Sequence, residues 1–214
     1  FNGEIDRDAL ASFMRHGYIP SPQSIYSDIH KLSPGSLIKI PLGDRSKIYS
    51  DTYWSLEGVA HKGLQEPFLG SDTDALDGLE SKLSESIAIQ QLSDVPVGAF
   101  LSGGIDSSAI VALMQEKSSR PIHTFTIGFN EQQYNEATYA KSVAQYLGTD
   151  HTEYYVSPNE ARLVIPKLPA LYDEPFADSS QIPTFLVSQM AKRNISVALS
   201  GDAGDELFGG YNRY

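Results

Sequence analysis

An α/β fold, with a parallel sheet and helices on both faces, is what this chain of 214 residues predicts. Two observations predict it. From about residue 73 to the end, short apolar strand candidates alternate with helical stretches, which is how parallel strands joined by covering helices are written. The helical stretches also carry apolar stripes at helical spacing. Before residue 73 the rhythm differs: the N-terminal portion reads as mixed and compact.

Taken in order, "DRDALASFMRH" predicts a helix capped by Asp6, with Leu10, Phe13 and Met14 on one face. A proline-spaced loop follows, "YIPSPQSIYSDIHKLSPG". "SLIKI" and "KIYSDTYW" are strand candidates joined by the turn-rich "PLGDRS", and Trp54 is expected in the core. From Glu57 to Asp72 the periodicity lapses, and "EGVAHKGLQEPFLGSD" reads as a linker. "TDALDGLESKLSESI" then places Leu76, Leu79, Leu83 and Ile87 on one helical stripe. "VGAFL" is a strand and "SSAIVALMQEK" a helix starting near Ser107. "IHTFTIGF" is a strand, and "NEATYAKSVAQYLG" a helix with Ala137, Ala140, Ala144 and Leu147 aligned and Gly148 as its stop. "HTEYYV" is a strand. A proline-broken segment leads to the helix "IPTFLVSQMAKRN", with Ile182, Leu186 and Met190 in line, and "ISVAL" is the last strand. There is no internal repeat and no low-complexity tract.

Composition narrows the function classes. The apolar fraction is 41%, ordinary for a globular protein. The absence of cysteine removes disulfides, thiolate metal sites and a cysteine nucleophile within the chain, and it fits a reducing compartment. The formal charge of −11, with no local basic patch, argues against nucleic acid as a partner. No stretch approaches the ~18 apolar residues of a membrane span. The first residue is Phe with no signal-peptide pattern after it, so the chain is expected to be an internal piece of a longer protein. The five histidines show no metal spacing, and His123 and His151 are read as packing or solvent-facing residues rather than ligands.

Chemistry gathers at strand ends, where open parallel sheets bind ligands. After "VGAFL" comes "SGGIDS". Gly103 and Gly104 let the backbone turn tightly and bring its amides close to an anion. The following helix points its positive end at the same place, and Ser102, Ser107 and Ser108 add hydroxyls. That combination suits phosphate. It is not the common nucleoside-triphosphate loop, which needs a lysine. Asp106 instead sets a carboxylate beside the anion, which makes sense with a cation between them; Mg²⁺ takes one or two carboxylates plus phosphate oxygens. After "SVAL" comes "SGDAGDELFGG", which crowds Asp202, Asp205 and Glu206, so Asp205 could share the metal with Asp106. A turn and an N-cap would explain either loop alone. Two such loops ending two strands of one sheet favour a site.

"LSGGIDSS" resembles the signature of the ATP-pyrophosphatase (PP-loop) enzymes. Four pieces in order, "VPVGAFLSGGIDSS", "HTFTIGF", "EATYAKSVAQYLGTDH" and "SGDAGDELFGGYNRY", resemble the synthetase domain of the glutamine-dependent asparagine synthetase family. "YIPSPQSIYSDIHKLSPGSLIKI" is similar to the end of that family's glutaminase domain. The resemblance implies an adenine nucleotide alpha hydrolase-like sheet at 73–214, C-terminally truncated, a linker at 58–72, and an α+β remnant of the glutaminase domain at 1–57. It implies an ATP-dependent, amide-forming carbon–nitrogen ligase. Aspartate's side-chain carboxylate would be activated as an acyl-adenylate with release of pyrophosphate, and ammonia from glutamine would then give asparagine.

Carried over residue by residue, Leu101 and Ile127 flank the nucleotide through backbone groups. Ser102, Gly103, Gly104, Asp106 and Ser107 form the pyrophosphate loop, and Ser200 and Gly201 also touch the nucleotide. Asp106 and Asp205 are the metal-linked carboxylates. Asp202 and Asp106 are the catalytic positions, Asp202 standing where the family usually has Glu. The cofactors implied are ATP and Mg²⁺, and the partners are small molecules. The location implied is cytoplasmic, a homodimer is compatible with the family, and this piece alone is expected to be inactive. In "LYDEPFADSSQIPT" the chain has Asp178 where the family implies an arginine. This keeps open a related amidotransferase or lactam synthetase that adenylates another carboxylate.

Overall fold

The computed structural model describes residues 2–43, 47–129 and 135–211. The chain divides into two compact units, Phe1–Ser71 with Leu168–Ser179, and Asp72–Lys167 with Ser180–Tyr214.

In the first unit, α1 (Arg7–His16) begins where Asp6 turns its carboxylate to the amides of Asp8 and Ala9, at 2.8 and 3.1 Å. A cap of this kind contributes about 1 kcal/mol. Gly17 ends the helix in the left-handed region, φ 79°. The packed face is Ala9 with Phe13, against Ile19 and Ile25. The expected face of Leu10, Phe13 and Met14 is therefore rotated by one position, and Met14 is 77% exposed. β1 (Ser36–Lys39) and β2 (Tyr49–Thr52) pair antiparallel, with Ser36 opposite Thr52. Part of the "PLGDRS" turn, residues 44–46, lies outside the described residues. Trp54 follows β2 and is 47% exposed, not core. The stretch read as a linker is mostly a helix, α2 (Leu56–Gln65), capped by the Ser55 hydroxyl, which accepts from the Gly58 amide at 3.0 Å. None of its residues is buried, although Leu56, Val59, Ala60 and Leu64 fall at helical spacing between its glycines.

The second unit opens with α3 (Asp72–Gln90), followed by β3 (Val97–Phe100), α4 (Ile105–Lys117), β4 (His123–Phe129), α5 (Ala137–Leu147), β5 (Asp150–Val156) and α6 (Pro158–Val164). After α7 (Leu168–Leu171), which packs with the first unit, come α8 (Gln181–Ala191), β6 (Val197–Leu199) and α9 (Gly204–Phe208). The four strands lie in the order β5-β4-β3-β6, all parallel. One face carries α3, α4 and α5: Ile87, Val111, Met114, Ala140 and Ala144 pack with Ala99 and Leu101. The other carries α8, where Val187 and Ala191 pack with Phe125 and Ile195. Truncating a fully buried side chain such as Met114 or Val111 to alanine costs roughly 1–5 kcal/mol in cores of this kind. Helices on both faces are thus present, as expected.

Ala137, Ala140 and Ala144 are buried in line on α5, and Gly148 ends it at φ 71°. The stripe on α3 is only half used. Ile87 is 3% exposed and Leu76 66%, so the buried end of the stripe is its C-terminal one. Of the two flagged histidines, His123 is partly exposed with its Nδ1 2.9 Å from Asp150, and His151 Nδ1 lies 2.9 Å from the Thr124 hydroxyl.

Candidate functional site

The chain runs β3 to β4 to β5 outward in one direction, then returns to place β6 on the other side of β3. The carboxyl ends of β3 and β6 therefore flank the switch point of the sheet, the place where such sheets bind ligands. Residues 101–107 leave β3 there and residues 200–206 leave β6.

The first loop is rooted by Leu101, 1% exposed, whose amide donates to the carbonyl of Phe125 at 2.9 Å. Gly103 takes φ 83° and lies so close to α5 that a Cβ would stand 2.6 Å from the Ala140 nitrogen and 2.8 Å from Tyr139 Cβ. Only glycine meets both demands. α4 starts at Ile105, two residues earlier than expected, with Gly104 as a cap that offers no side chain. Its first-turn amides are therefore left for solvent or a ligand. Asp106 sits in that first turn. The Ser107 hydroxyl is buried and closes the loop: it accepts the Ser102 amide at 3.2 Å and lies 2.9 Å from the Ser102 hydroxyl. The Gly104 amide donates to Ser102 Oγ at 3.2 Å.

The second loop touches the first. A Cβ on Gly201 would stand 2.7 Å from the Ser107 nitrogen, and one on Gly204 would stand 2.5 Å from the Asp106 carboxylate. The loop thus lies against the start of α4 because two of its residues lack side chains. Between them the Ser200 hydroxyl donates to Asp202 Oδ2 at 2.9 Å. Ala203 holds φ 72°, the one left-handed residue other than glycine among those described. Such strain costs of order 1–3 kcal/mol and collects at functional loops. The Asp205 carboxylate faces Gly210, where a Cβ would fall 1.9 Å from its Oδ1.

Of the residues singled out in the sequence, Ser102, Gly103, Gly104, Asp106, Ser107, Ser200, Gly201, Asp202 and Asp205 thus lie on two loops in contact. Leu101 is the root of the first. Ile127 lies within β4, opposite Tyr154, packed toward the α8 face of the sheet. Gly204 and Ala203 were not singled out, although Gly204 sets how closely the second loop approaches Asp106. A cavity of about 360 Å³ also opens beside Ser200 and Asp202, with Ser86 and Gln90 of α3 on its wall. Neither α3 residue is read as part of a site from the sequence: both are polar positions beside Leu83 and Ile87 on the helix face that lines the cavity.

Carboxylate oxygens are the donors a hard cation takes. Asp106 and Asp205 are carboxylates on adjoining loops, and among the described residues neither pairs with a basic side chain. Among the described residues no group of three or more His, Asp or Glu could hold an ion alone. Phosphate oxygens would have to complete the shell, as they do for Mg²⁺.

The family model described as asparagine synthase matches residues 78–214. A candidate glutamine-hydrolysing asparagine synthetase of Methanocaldococcus jannaschii is 41% identical over 97% of this chain and 39% of its own length. Asparagine synthetase [glutamine-hydrolyzing] 1 of Bacillus subtilis is 37% identical over 99% of this chain and 32% of its own length. The chain therefore spans about a third to two fifths of the length of these two relatives. Likeness to solved structures is looser: the NH3-dependent NAD synthetase of Campylobacter jejuni shares 14% identity and a TM-score of 0.44, covering 63% of this chain and 60% of that one.

Proposed function

We propose, since the chain belongs to the asparagine synthase family, that it carries the nucleotide-binding part of an ATP-dependent amide-forming ligase. The observation that carries this reading is the contact of two glycine-bearing strand ends at the switch point, with Asp106 at the seam against Gly201 and Gly204. Its substrates are ATP, a carboxylic acid, of which aspartate is the first choice, and ammonia released from glutamine. Residues 1–57 are read as the end of the glutaminase half and 73–214 as the synthetase domain.

In the first step a carboxylate oxygen of the acceptor attacks the α-phosphorus of ATP. The bond from that phosphorus to the bridging oxygen breaks, and pyrophosphate leaves with the electron pair. The first-turn amides of α4, with Ser102 and Ser107, hold the departing anion, and Gly103 and Gly104 give it backbone access. Asp106 and Asp205 would hold Mg²⁺, which would neutralise charge on the phosphates. In the second step the lone pair of ammonia attacks the acyl carbon, AMP leaves, and the proton shed by nitrogen passes to a carboxylate. Asp202, exposed and tethered to Ser200, is the residue proposed for that proton. The cysteine-free chain suits the reducing cytoplasm, which is the compartment we propose. No helix among the described residues is long and apolar enough to cross a membrane.

A second reading, a relative that adenylates another carboxylate, is favoured by Asp178, which stands where an arginine would pair with the aspartate carboxylate. Substrate-dependent exchange of labelled pyrophosphate into ATP, run on the full-length protein with a panel of carboxylic acids, separates the two. Aspartate-dependent exchange is the expected result, and exchange with another acid alone selects the second reading. Asp106→Asn is expected to abolish exchange and flatten its dependence on Mg²⁺. Unchanged kinetics in that variant would refute the assignment of Asp106.

A further inference from the structure

Residues Leu168–Ser179 lie in the chain between α6 and α8, both in the sheet-bearing unit, yet they pack with the first unit. A mere connection would not need the anchors this segment has. The Glu174 carboxylate accepts from the Lys31 ammonium, and its second oxygen accepts the Ile25 amide at 3.3 Å. The same ammonium donates to the Ile19 carbonyl. Three residues on, the Ala177 amide donates to the Gly17 carbonyl at 2.6 Å. Gly17 is the left-handed stop of α1, and a Cβ there would rest 3.4 Å from Ala177 Cβ. The rings of Tyr172 and Phe176, either side of Glu174, meet edge to face at 4.7 Å. The side chains of Lys31 and Glu174 are 34% and 23% exposed. The pair is therefore partly desolvated and held by two backbone partners as well as by each other.

We propose that Lys31 and Glu174 form a coupling clamp: positioning residues that tie the first unit to the segment feeding α8, so that the ammonia-supplying half governs amide formation. This rests on the reading of the first unit as the end of a glutaminase half. The route onward is continuous. Residues 178–180 lead into α8, whose Val187 and Ala191 pack on Phe125. The carbonyl of Phe125 holds the amide of Leu101 at the root of the pyrophosphate loop. Along the chain, one helix and one hydrogen bond separate the clamp segment from that loop.

The test uses the full-length protein and compares amide formation driven by glutamine with that driven by ammonium chloride, together with glutamate released per amide formed. The variants are Glu174→Gln, Lys31→Met, and the exchange Lys31→Glu with Glu174→Lys. In both single variants, glutamine-driven synthesis is expected to fall about tenfold, within the 5–150-fold span of site-to-site coupling. Ammonia-driven synthesis should stay within about twofold, and glutamate released per amide should rise. The exchanged pair restores the glutamine-driven rate at least in part. Equal rates from both nitrogen sources in the variants would overturn the clamp, as would an equal fall in both with a lowered Tm, which marks a merely structural pair. If the unaltered protein makes no amide from either source, the underlying ligase reading itself fails.

Discussion

Replacing Gly201 with alanine adds one methyl group at the seam between the two loops. The new Cβ would lie 2.7 Å from the Ser107 nitrogen and 3.0 Å from the Asp106 carbonyl carbon. Both are backbone atoms in the first turn of α4, so no side chain can swing aside to make room. Ordinary contact needs about 3.5 Å, so the loops must part by roughly 0.8 Å. A misplacement of about 1 Å among reacting groups costs on the order of a hundredfold in rate. Exchange of pyrophosphate into ATP is therefore expected to fall about a hundredfold. Overpacking at such a site costs about 1–3 kcal/mol of stability, so the folded fraction should survive at room temperature. The assay is exchange on the full-length protein, with circular dichroism and Tm to confirm folding. An alanine variant that folds and exchanges within twofold of the parent would show that the approach of Gly201 to α4 does no chemical work.

Gly78→Ala, inside α3 where an added Cβ meets nothing within 4 Å, is expected to raise stability by about 1 kcal/mol, measured by urea denaturation, with exchange unchanged. Ser107→Ala removes the buried hydroxyl that accepts the Ser102 amide, and should cost about 1–3 kcal/mol by the same measurement. Burial holds the His151 imidazole below its ordinary pKa of 6.5, with Glu153 acting to raise it and Lys141 to lower it. Because the folded-state value is depressed, its contribution to stability is present above pH 6.5 and is lost as the pH falls through the folded value. Denaturation of the parent and of His151→Gln at pH 7.5 and 5.5 should show the parent losing more toward acid. Equal losses would show that this ring does not contribute.

The sheet was legible because its helices bury alanine and leucine stripes and its strands are short apolar runs bounded by glycine. Ala137, Ala140 and Ala144 read as one face and are one face. The loops were legible for the same reason: glycines and acids at strand ends are rare together, and the structure brings Asp106 against Gly201 and Gly204. What could not be read shares a different property. α2 buries no residue, and Trp54 and Leu76 are 47% and 66% exposed. Periodicity reports an apolar face, not whether a partner covers it. Likewise the clamp at Lys31 and Glu174 joins residues 143 positions apart, and single-chain pattern reading has no signal for pairs that distant.

The serine pair at the start of α4 has a consequence for binding itself. Because Ser102 and Ser107 already hold each other and the Gly104 amide, the turn keeps its shape with nothing in it. An arriving triphosphate therefore meets amides that are aimed beforehand, and little chain entropy is lost on capture. Damage to either hydroxyl would surface in calorimetry as a steeper entropic penalty for nucleotide, with the heat of contact largely retained.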